Sequence, residues 1–190
     1  MMRKVLPIFI LILVIGGFVY FYGLQGRENE ARENKGVLTD EKILDLSQST
    51  TELVNFISSI KETPEQVVRT NSIIRKMTYS GEYNEAEIES LVNMQRMLFQ
   101  EELLEHNPRE FHHIMIRSEL EQWEEAELKI IGSDYLPAKY QSEDTAIVKV
   151  VFFTNDPNRD IYAQYVLVKN TLDQWEIKGW MGAEPFEIVK

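Results

Sequence analysis

The spacing of apolar residues changes at Glu127, and this change limits the possible folds more than any other feature of the sequence. Before Glu127, apolar residues recur at steps of three and four, as they do on one face of a helix. After it they alternate with polar residues, as they do in a half-buried strand. Helices followed by strands predict an α+β fold, with a helical part at 39–126 and an antiparallel sheet at 127–190.

About four helices are predicted in the helical part. The first begins at Thr39, and the polar patch at 47–51 could divide it in two. Its apolar stripe consists of Ile43, Leu46, Leu53, Ile57 and Ile60. The second begins after the capping residue Thr63, where Pro64 suits the first helical turn.

Two further helix starts follow the same rules. The third helix is expected to begin at Asn84, with Glu87 placed to complete a capping box. The fourth is expected to begin at Asn107, which would cap a helix that runs to about Ala126.

Four strands joined by turns are predicted after the helices, as a curved antiparallel meander covered by helices on one face. They lie within 127–136, 146–153, 161–169 and 174–180. Strand alternation predicts which side chains lie on the same face. These are Ala146, Val148, Val150 and Phe152 in one strand, and Ile161, Ala163, Tyr165 and Leu167 in the next.

An uncharged run at residues 5–24 precedes the helical part and predicts a transmembrane anchor. Twenty residues of helix span about 30 Å, the thickness of a bilayer core. Large aromatic residues at 20–22 occupy the place where signal peptidase requires small side chains, so we expect the segment to stay attached rather than to be cleaved near Gln25. Residues 25–38 are expected to form a juxtamembrane stalk.

Charge predicts the orientation of the anchor. Arg3 and Lys4 precede the run without any acid, whereas the basic residues that follow it are matched by glutamates. The tip at 1–4 is therefore expected in the cytoplasm and 39–190 outside the cell membrane. The net charge of −11 disfavours nucleic acid as a partner, and the absence of cysteine excludes disulfides and thiolate chemistry.

Three stretches of the sequence, ETPEQVV, FQEELLEHNPREF and QWEIKGW, resemble an uncharacterised family of single-pass bacterial membrane proteins. The resemblance extends from about residue 50 to the carboxyl end. It implies a transmembrane helix, a helical region and a small sheet that ends in a tryptophan-containing strand. The order of elements is also similar to the cystatin-like cone of SnoaL-like and nuclear-transport-factor-like domains, a fold that serves enzymes, binding proteins and dimers alike.

The chain offers few residues for catalysis or metal binding. His112 and His113 are adjacent and would point about 100° apart on a helix, and His106 lies before a proline, so no metal site is predicted. Asp134 beside Tyr135, and Asp144, are acids near strand ends, where we expect them to be solvated. The glutamates around Trp123 are interpreted as a solvated helix face; they are Glu119, Glu121, Glu124, Glu125 and Glu127.

Trp175, Trp180 and Tyr165 are the candidate contact residues. Five positions apart on a strand, the two tryptophans would point to opposite faces unless a bulge near Gly179 intervenes. The expected function is non-enzymatic: an anchored domain, in contact with the bilayer through 5–24, that binds a protein or envelope component or forms a homodimer. An alternative is a cone enzyme or binder of small apolar ligands that uses an acid and a tyrosine in the hollow of the sheet.

Overall fold

The computed structural model describes residues 40–48 and 50–188. The helices come first: α1 Asp40–Gln48, α2 Thr50–Ile60, α3 Pro64–Thr78, α4 Glu85–Arg96, α5 Glu101–His106 and α6 Arg109–Glu125. The strands follow: β1 Ile130–Tyr135, β2 Lys139–Ser142, β3 Thr145–Thr154, β4 Ile161–Lys169 and β5 Trp175–Gly182. The predicted α+β class and element order are confirmed.

Two predicted helix starts are confirmed and one is wrong. The Thr63 hydroxyl accepts the Gln66 N–H at the start of α3, and Asn84 forms the predicted capping box with Glu87 at the start of α4. Asn107, in contrast, ends α5: its side-chain amide and its backbone N–H both donate to the Leu103 carbonyl. Helix α6 therefore begins after Pro108 without a side-chain cap.

The first predicted helix is two helices, α1 and α2, as the polar patch at 47–51 suggested. Ile43, Leu53, Ile57 and Ile60 of its stripe are buried, and the side chain of Leu46 lies outside the described residues. Helix α5 was not predicted, because six residues are too few to show a helical repeat.

All strand pairs of the sheet are antiparallel, and the strand order is β1-β3-β4-β5. Strands β1 and β2 pair with successive halves of β3 and together act as one interrupted strand. The interruption falls at Pro137, which has no N–H to donate, and the next N–H, that of Ala138, donates to the Glu65 carboxylate of α3 instead.

The core lies between α3 and one face of the sheet. The β3 side chains that were predicted to share a face are all buried, and so are Ala163, Tyr165 and Leu167 of β4. Opposite them, α3 buries Val67, Val68, Ile74 and Met77. Lys61, at the end of α2, forms a buried ion pair with Glu176 of β5 at 2.7 Å and so links the helices to the last strand.

None of the helices in the described part of the chain combines the length and apolar character needed to cross a bilayer. The predicted anchor at 5–24 and the stalk at 25–38 lie outside the described residues.

Candidate functional site

Two candidate sites lie against helix α6. Its inward stripe consists of His112, Ile116, Glu119 and Trp123, of which only Ile116 is fully buried. On the flank toward α4, His113 lies 3.2 Å from Asn93 Oδ1, and Arg117 forms an ion pair with Glu85 at 2.5 Å. These polar contacts join α6 to α4, and a groove lies beside them.

The first candidate site is a groove between α4 and α6. One part of it, about 400 Å³, is lined by both helices, and an adjoining part of about 540 Å³ extends to the end of α3 and the start of β1. Both parts share Ile88, Leu120 and Glu124. Further apolar lining comes from Val92, Ile116, Tyr79, Tyr83, Trp123 and Leu128. We call this space the interhelix groove.

The rim of the interhelix groove is acidic. Glu85 and Glu89 are paired with arginines, at 2.5 and 3.3 Å. Glu121, Glu124 and Glu127 line the groove and are exposed, and the basic residues of the lining are Arg117 and Lys129. The groove therefore offers an apolar floor beside surplus negative charge.

The second candidate site surrounds Arg75 on α3. Its guanidinium carbon lies 5.4 Å from the centres of two rings, those of Tyr79 and Phe152, so the cation lies against aromatic faces. The Tyr79 hydroxyl donates a short hydrogen bond to Glu119 Oε2 of α6, and the Tyr79 ring packs on Trp123 with 4.8 Å between ring centres. We call Arg75, Tyr79, Phe152 and Glu119 the Arg75 cluster.

Arg75 has no ion-pair partner within the described ranges, and its Nε is buried without a hydrogen-bond acceptor. Burial by itself would lower the Arg75 pKa, but Tyr165, Tyr79 and Glu119 together raise it above its ordinary value. Burial also raises the pKa of Tyr79, which is 2 % exposed, so that its phenol stays protonated. In this cluster the Arg75 cation therefore faces aromatic rings, and the nearby Glu119 carboxylate accepts a hydrogen bond from Tyr79.

His112 lies at the other side of this region and is neutral. Burial, followed by the nearby charges of Arg96, His113 and Arg75, lowers its pKa to about 4. Arg96 Nη1 lies 3.4 Å from His112 Nδ1, and since arginine can only donate, Nδ1 must accept. The ring centre of Phe99 is 5.9 Å from that of His112.

The predicted contact residues share the helix-covered face of the sheet, where Trp180 lies beside Tyr165 and Trp175 lies nearer to Tyr140. A bulge at Lys178 shifts the register of β5, because Ile177 pairs with Leu167 while Gly179 pairs with Val166. Trp180 therefore faces the same side as Trp175, and its ring lies 6.0 Å from Tyr165 and 5.6 Å from Phe99. Trp175 and Tyr165 are 3 % and 1 % exposed, whereas Trp180 is 41 % exposed. Of the three predicted contact residues, Trp180 is therefore the one that is accessible to a partner. Its role in contacts stays a prediction.

The other candidates from the sequence are dispersed. His106 and His113 have separate neighbours, the Glu102 carbonyl and Asn93. Asp144 is exposed in the turn between β2 and β3, and Asp134 accepts the N–H of Tyr135. The predicted solvated face of α6 is exposed at Glu121, Glu124, Glu125 and Glu127, whereas Glu119 points inward.

Neither the interhelix groove nor the Arg75 cluster was predicted from the sequence. Arg75 follows Ile74 in an amphipathic helix, where a basic residue indicates an exposed flank. A weak signal was present: Arg75 and Tyr79 are four residues apart and so share a side of α3. The partner elements, α6 and β3, could be placed only with the tertiary structure.

The comparisons with known proteins give one match. A family model described as Domain of unknown function (DUF6715) matches residues 1–180. Neither a curated protein nor a solved structure matches the chain.

Proposed function

The chain belongs to the DUF6715 family, a domain of unknown function, and we propose that it is a membrane-anchored domain that binds a partner protein through the interhelix groove. In this proposal residues 5–24 hold the protein in the cell membrane, with residues 1–4 in the cytoplasm and the α+β domain outside. The uncharged run and the basic residues before it support that arrangement. The groove between α4 and α6 supports the binding function.

The chemistry of the groove indicates its occupant, a basic amphipathic helix. Ile88, Leu120 and Trp123 supply apolar contacts of the kind that receive one face of a helix. The exposed acids on the rim that form no ion pair among the described residues, Glu121, Glu124 and Glu127, suit lysines or arginines that flank such a face. Helix α4 is 12 residues long, about 18 Å, so the groove would accommodate about three turns of a bound helix.

We further propose that the domain is a cystatin-like cone. The order of helices and strands, the helix α3 across one sheet face and the final tryptophan strand support this assignment. The alternative function, an enzyme with an acid and a tyrosine in the hollow, is less favoured. Phe152, Tyr165, Leu167 and Trp175 fill that face, and where a tyrosine and an acid do meet inside the described domain, the Tyr79 hydroxyl is already donated to Glu119.

The groove proposal is tested with a defined probe and the full chain in nanodiscs of neutral lipid. The probe is an 18-residue helical peptide of leucine and lysine, and the comparison peptide carries glutamate in place of lysine. We expect saturable binding of the lysine peptide, a blue shift of tryptophan emission from Trp123, and at least tenfold weaker binding of the glutamate peptide. Binding is measured by isothermal titration calorimetry, and the heats from titrations into empty nanodiscs are subtracted.

A charge reversal on the rim supplies the matched control. Glu124→Lys should weaken binding of the lysine peptide at least tenfold, because Glu124 lines both parts of the groove. Glu125→Lys makes the same change one position along, on an exposed side chain outside the groove lining, and should change affinity less than threefold. Equal effects of the two substitutions, or equal binding of both peptides, would contradict the proposal.

A further inference from the structure

We propose that the larger part of the interhelix groove is a binding site for a small organic cation with a quaternary ammonium group. This part has a volume of about 540 Å³, and its lining includes the aromatic side chains of Tyr79, Tyr83 and Trp123 and the carboxylates of Glu124 and Glu127. We call it the aromatic pocket. The inference concerns the same groove as the proposed partner site but goes beyond it, because it requires no bound protein.

The first argument is the state of the aromatic rings. Trp123 belongs to α6, whereas Tyr83 lies in the loop between α3 and α4, so the two rings reach the pocket from different elements. Both are half-buried, which leaves part of each ring accessible to a ligand. Tyr79 is 2 % exposed and packs on Trp123 with 4.8 Å between ring centres, and so supports that ring. Aromatic rings attract quaternary ammonium groups, and the attraction is stronger where water is partly excluded.

The second argument is the charge of the lining. Glu124 and Glu127 are exposed and form no ion pair among the described residues, and the basic residue in the lining of the aromatic pocket is Lys129. Two carboxylates and one ammonium leave one surplus negative charge, which matches a ligand with a single positive charge. Burial, followed by nearby carboxylates, raises the pKa of Tyr83, so this ring is neutral and lies in a negative field.

The third argument concerns the type of cation. A primary ammonium or a guanidinium carries N–H groups that need acceptors when they leave water, whereas a quaternary ammonium has no N–H and needs none. Its charge is covered by methyl groups, which suit an apolar surface. The remaining lining provides such a surface through Ile88, Leu120 and Leu128. The aromatic pocket therefore fits a quaternary ammonium better than a free lysine or arginine side chain.

The test uses choline and its neutral analogue 3,3-dimethylbutanol, in which carbon replaces the charged nitrogen. The chain has three tryptophans, so labelling with fluorotryptophan gives three fluorine resonances, and that of Trp123 is assigned by its loss in Trp123→Phe. The full chain is held in nanodiscs of a lipid without choline. We expect the Trp123 resonance to move saturably with choline, with a Kd on the order of 1 mM or tighter, and the neutral analogue to bind at least tenfold more weakly.

The other two tryptophans are internal controls. Trp175 is buried and Trp180 is 41 % exposed, and neither lines the aromatic pocket, so both resonances should stay in place. A Trp180 resonance that moves in parallel with that of Trp123 would indicate unspecific contact of choline with exposed rings and would overturn the proposal. Equal binding of the neutral analogue, or no saturable shift of Trp123, would overturn it as well.

Two substitutions of Tyr83 supply the matched control. Tyr83→Leu keeps an apolar side chain but removes the ring, and should weaken choline binding at least fivefold, whereas Tyr83→Phe keeps the ring and should stay within about twofold. Unchanged choline affinity in Tyr83→Leu would contradict the proposal. The lysine peptide should bind Tyr83→Leu within about threefold of its affinity for the unsubstituted chain, which shows that the groove is still formed. Failure of choline alone rejects the aromatic pocket, and failure of the lysine peptide alone rejects the partner site.

The charges of the lining give a further prediction of opposite signs. Glu124→Gln should weaken choline binding at least twofold, because it removes a negative charge, and Lys129→Gln should strengthen it, because it removes a positive one. The reverse order would overturn the proposal. A second set of nanodiscs, with phosphatidylcholine and no free choline, identifies the source of the cation. A shifted Trp123 resonance there assigns it to a lipid headgroup, and an unshifted one, with free choline bound in the first set, assigns it to a soluble compound.

Discussion

His112 shows how one buried side chain links the fold to pH. Its folded-state pKa of about 4 lies below the ordinary value near 6.5, because of burial and the charges of Arg96, His113 and Arg75. Above pH 6.5 the ring is neutral in both the folded and the unfolded chain and does not affect the free energy of unfolding. Between pH 6.5 and 4 the unfolded chain takes up a proton that the folded chain does not, so stability falls.

We therefore predict that His112→Gln makes the stability of the domain less sensitive to acid. The free energy of unfolding of each protein is compared with its own value at pH 7.5. Between pH 6.5 and 4.5, the free energy of unfolding of the variant should fall by about 1–2 kcal/mol less than that of the unsubstituted chain, after a discount for partial exposure. Urea unfolding at a series of pH values measures the difference. His106→Gln, at an exposed position, is the control and should follow the unsubstituted chain.

Arg75, a half-buried cation between two aromatic rings, occupies the least expected position on α3. Sequence patterns assign it to solvent, and the structure places it between two rings. The sequence does predict which residues of β3 and β4 share a face, because strand alternation depends only on neighbours along the chain. It cannot predict what lies opposite them, which depends on contacts between distant residues.

Among the elements, α4 has the most complete local signal. Asn84 Oδ1 accepts the N–H groups of Ala86 and Glu87, and Glu87 Oε2 accepts the N–H of Asn84. Both halves of this box were readable from the sequence, because a capping box requires only four consecutive residues. Asn107 has the same residue type in a similar pattern, yet it closes α5, where its amide donates to the Leu103 carbonyl.

We predict that Asn84→Ala lowers the free energy of unfolding by about 1 kcal/mol, because two N–H groups at the start of α4 lose their acceptor. Asn84→Asp keeps the acceptor oxygen and should stay within about 0.5 kcal/mol of the unsubstituted chain. Urea unfolding followed by circular dichroism checks both. An equal loss of the free energy of unfolding in the two variants would contradict the prediction that the acceptor oxygen at position 84 stabilises α4.

The bulge at Lys178 is an element-scale feature that the sequence left open. Strict alternation would place Trp175 and Trp180 on opposite faces, and the extra residue restores them to one face. Gly179 marked the place, since glycine in a strand often accompanies a bulge. The consequence is an aromatic group at the sheet edge, in which Trp180 is partly exposed over buried Tyr165.

On the scale of the whole molecule, the parts of the account have different foundations. The α+β domain rests on the structure, and membership in the DUF6715 family rests on the match over residues 1–180. The permanent anchor rests on the length of the uncharged run and on the aromatic residues at its end. The proposed anchor would decide which partners can reach the interhelix groove, because it would determine the compartment and keep the domain at the membrane surface.

The most direct test of this central claim is the intact mass of the protein recovered from its native cells, together with the fraction that contains it. We predict a membrane-bound product that resists alkaline extraction and retains residues 5–24, with the domain accessible to protease added outside. A soluble product with a mature terminus near Arg27 would contradict the account, because the partner would then be met by a released domain.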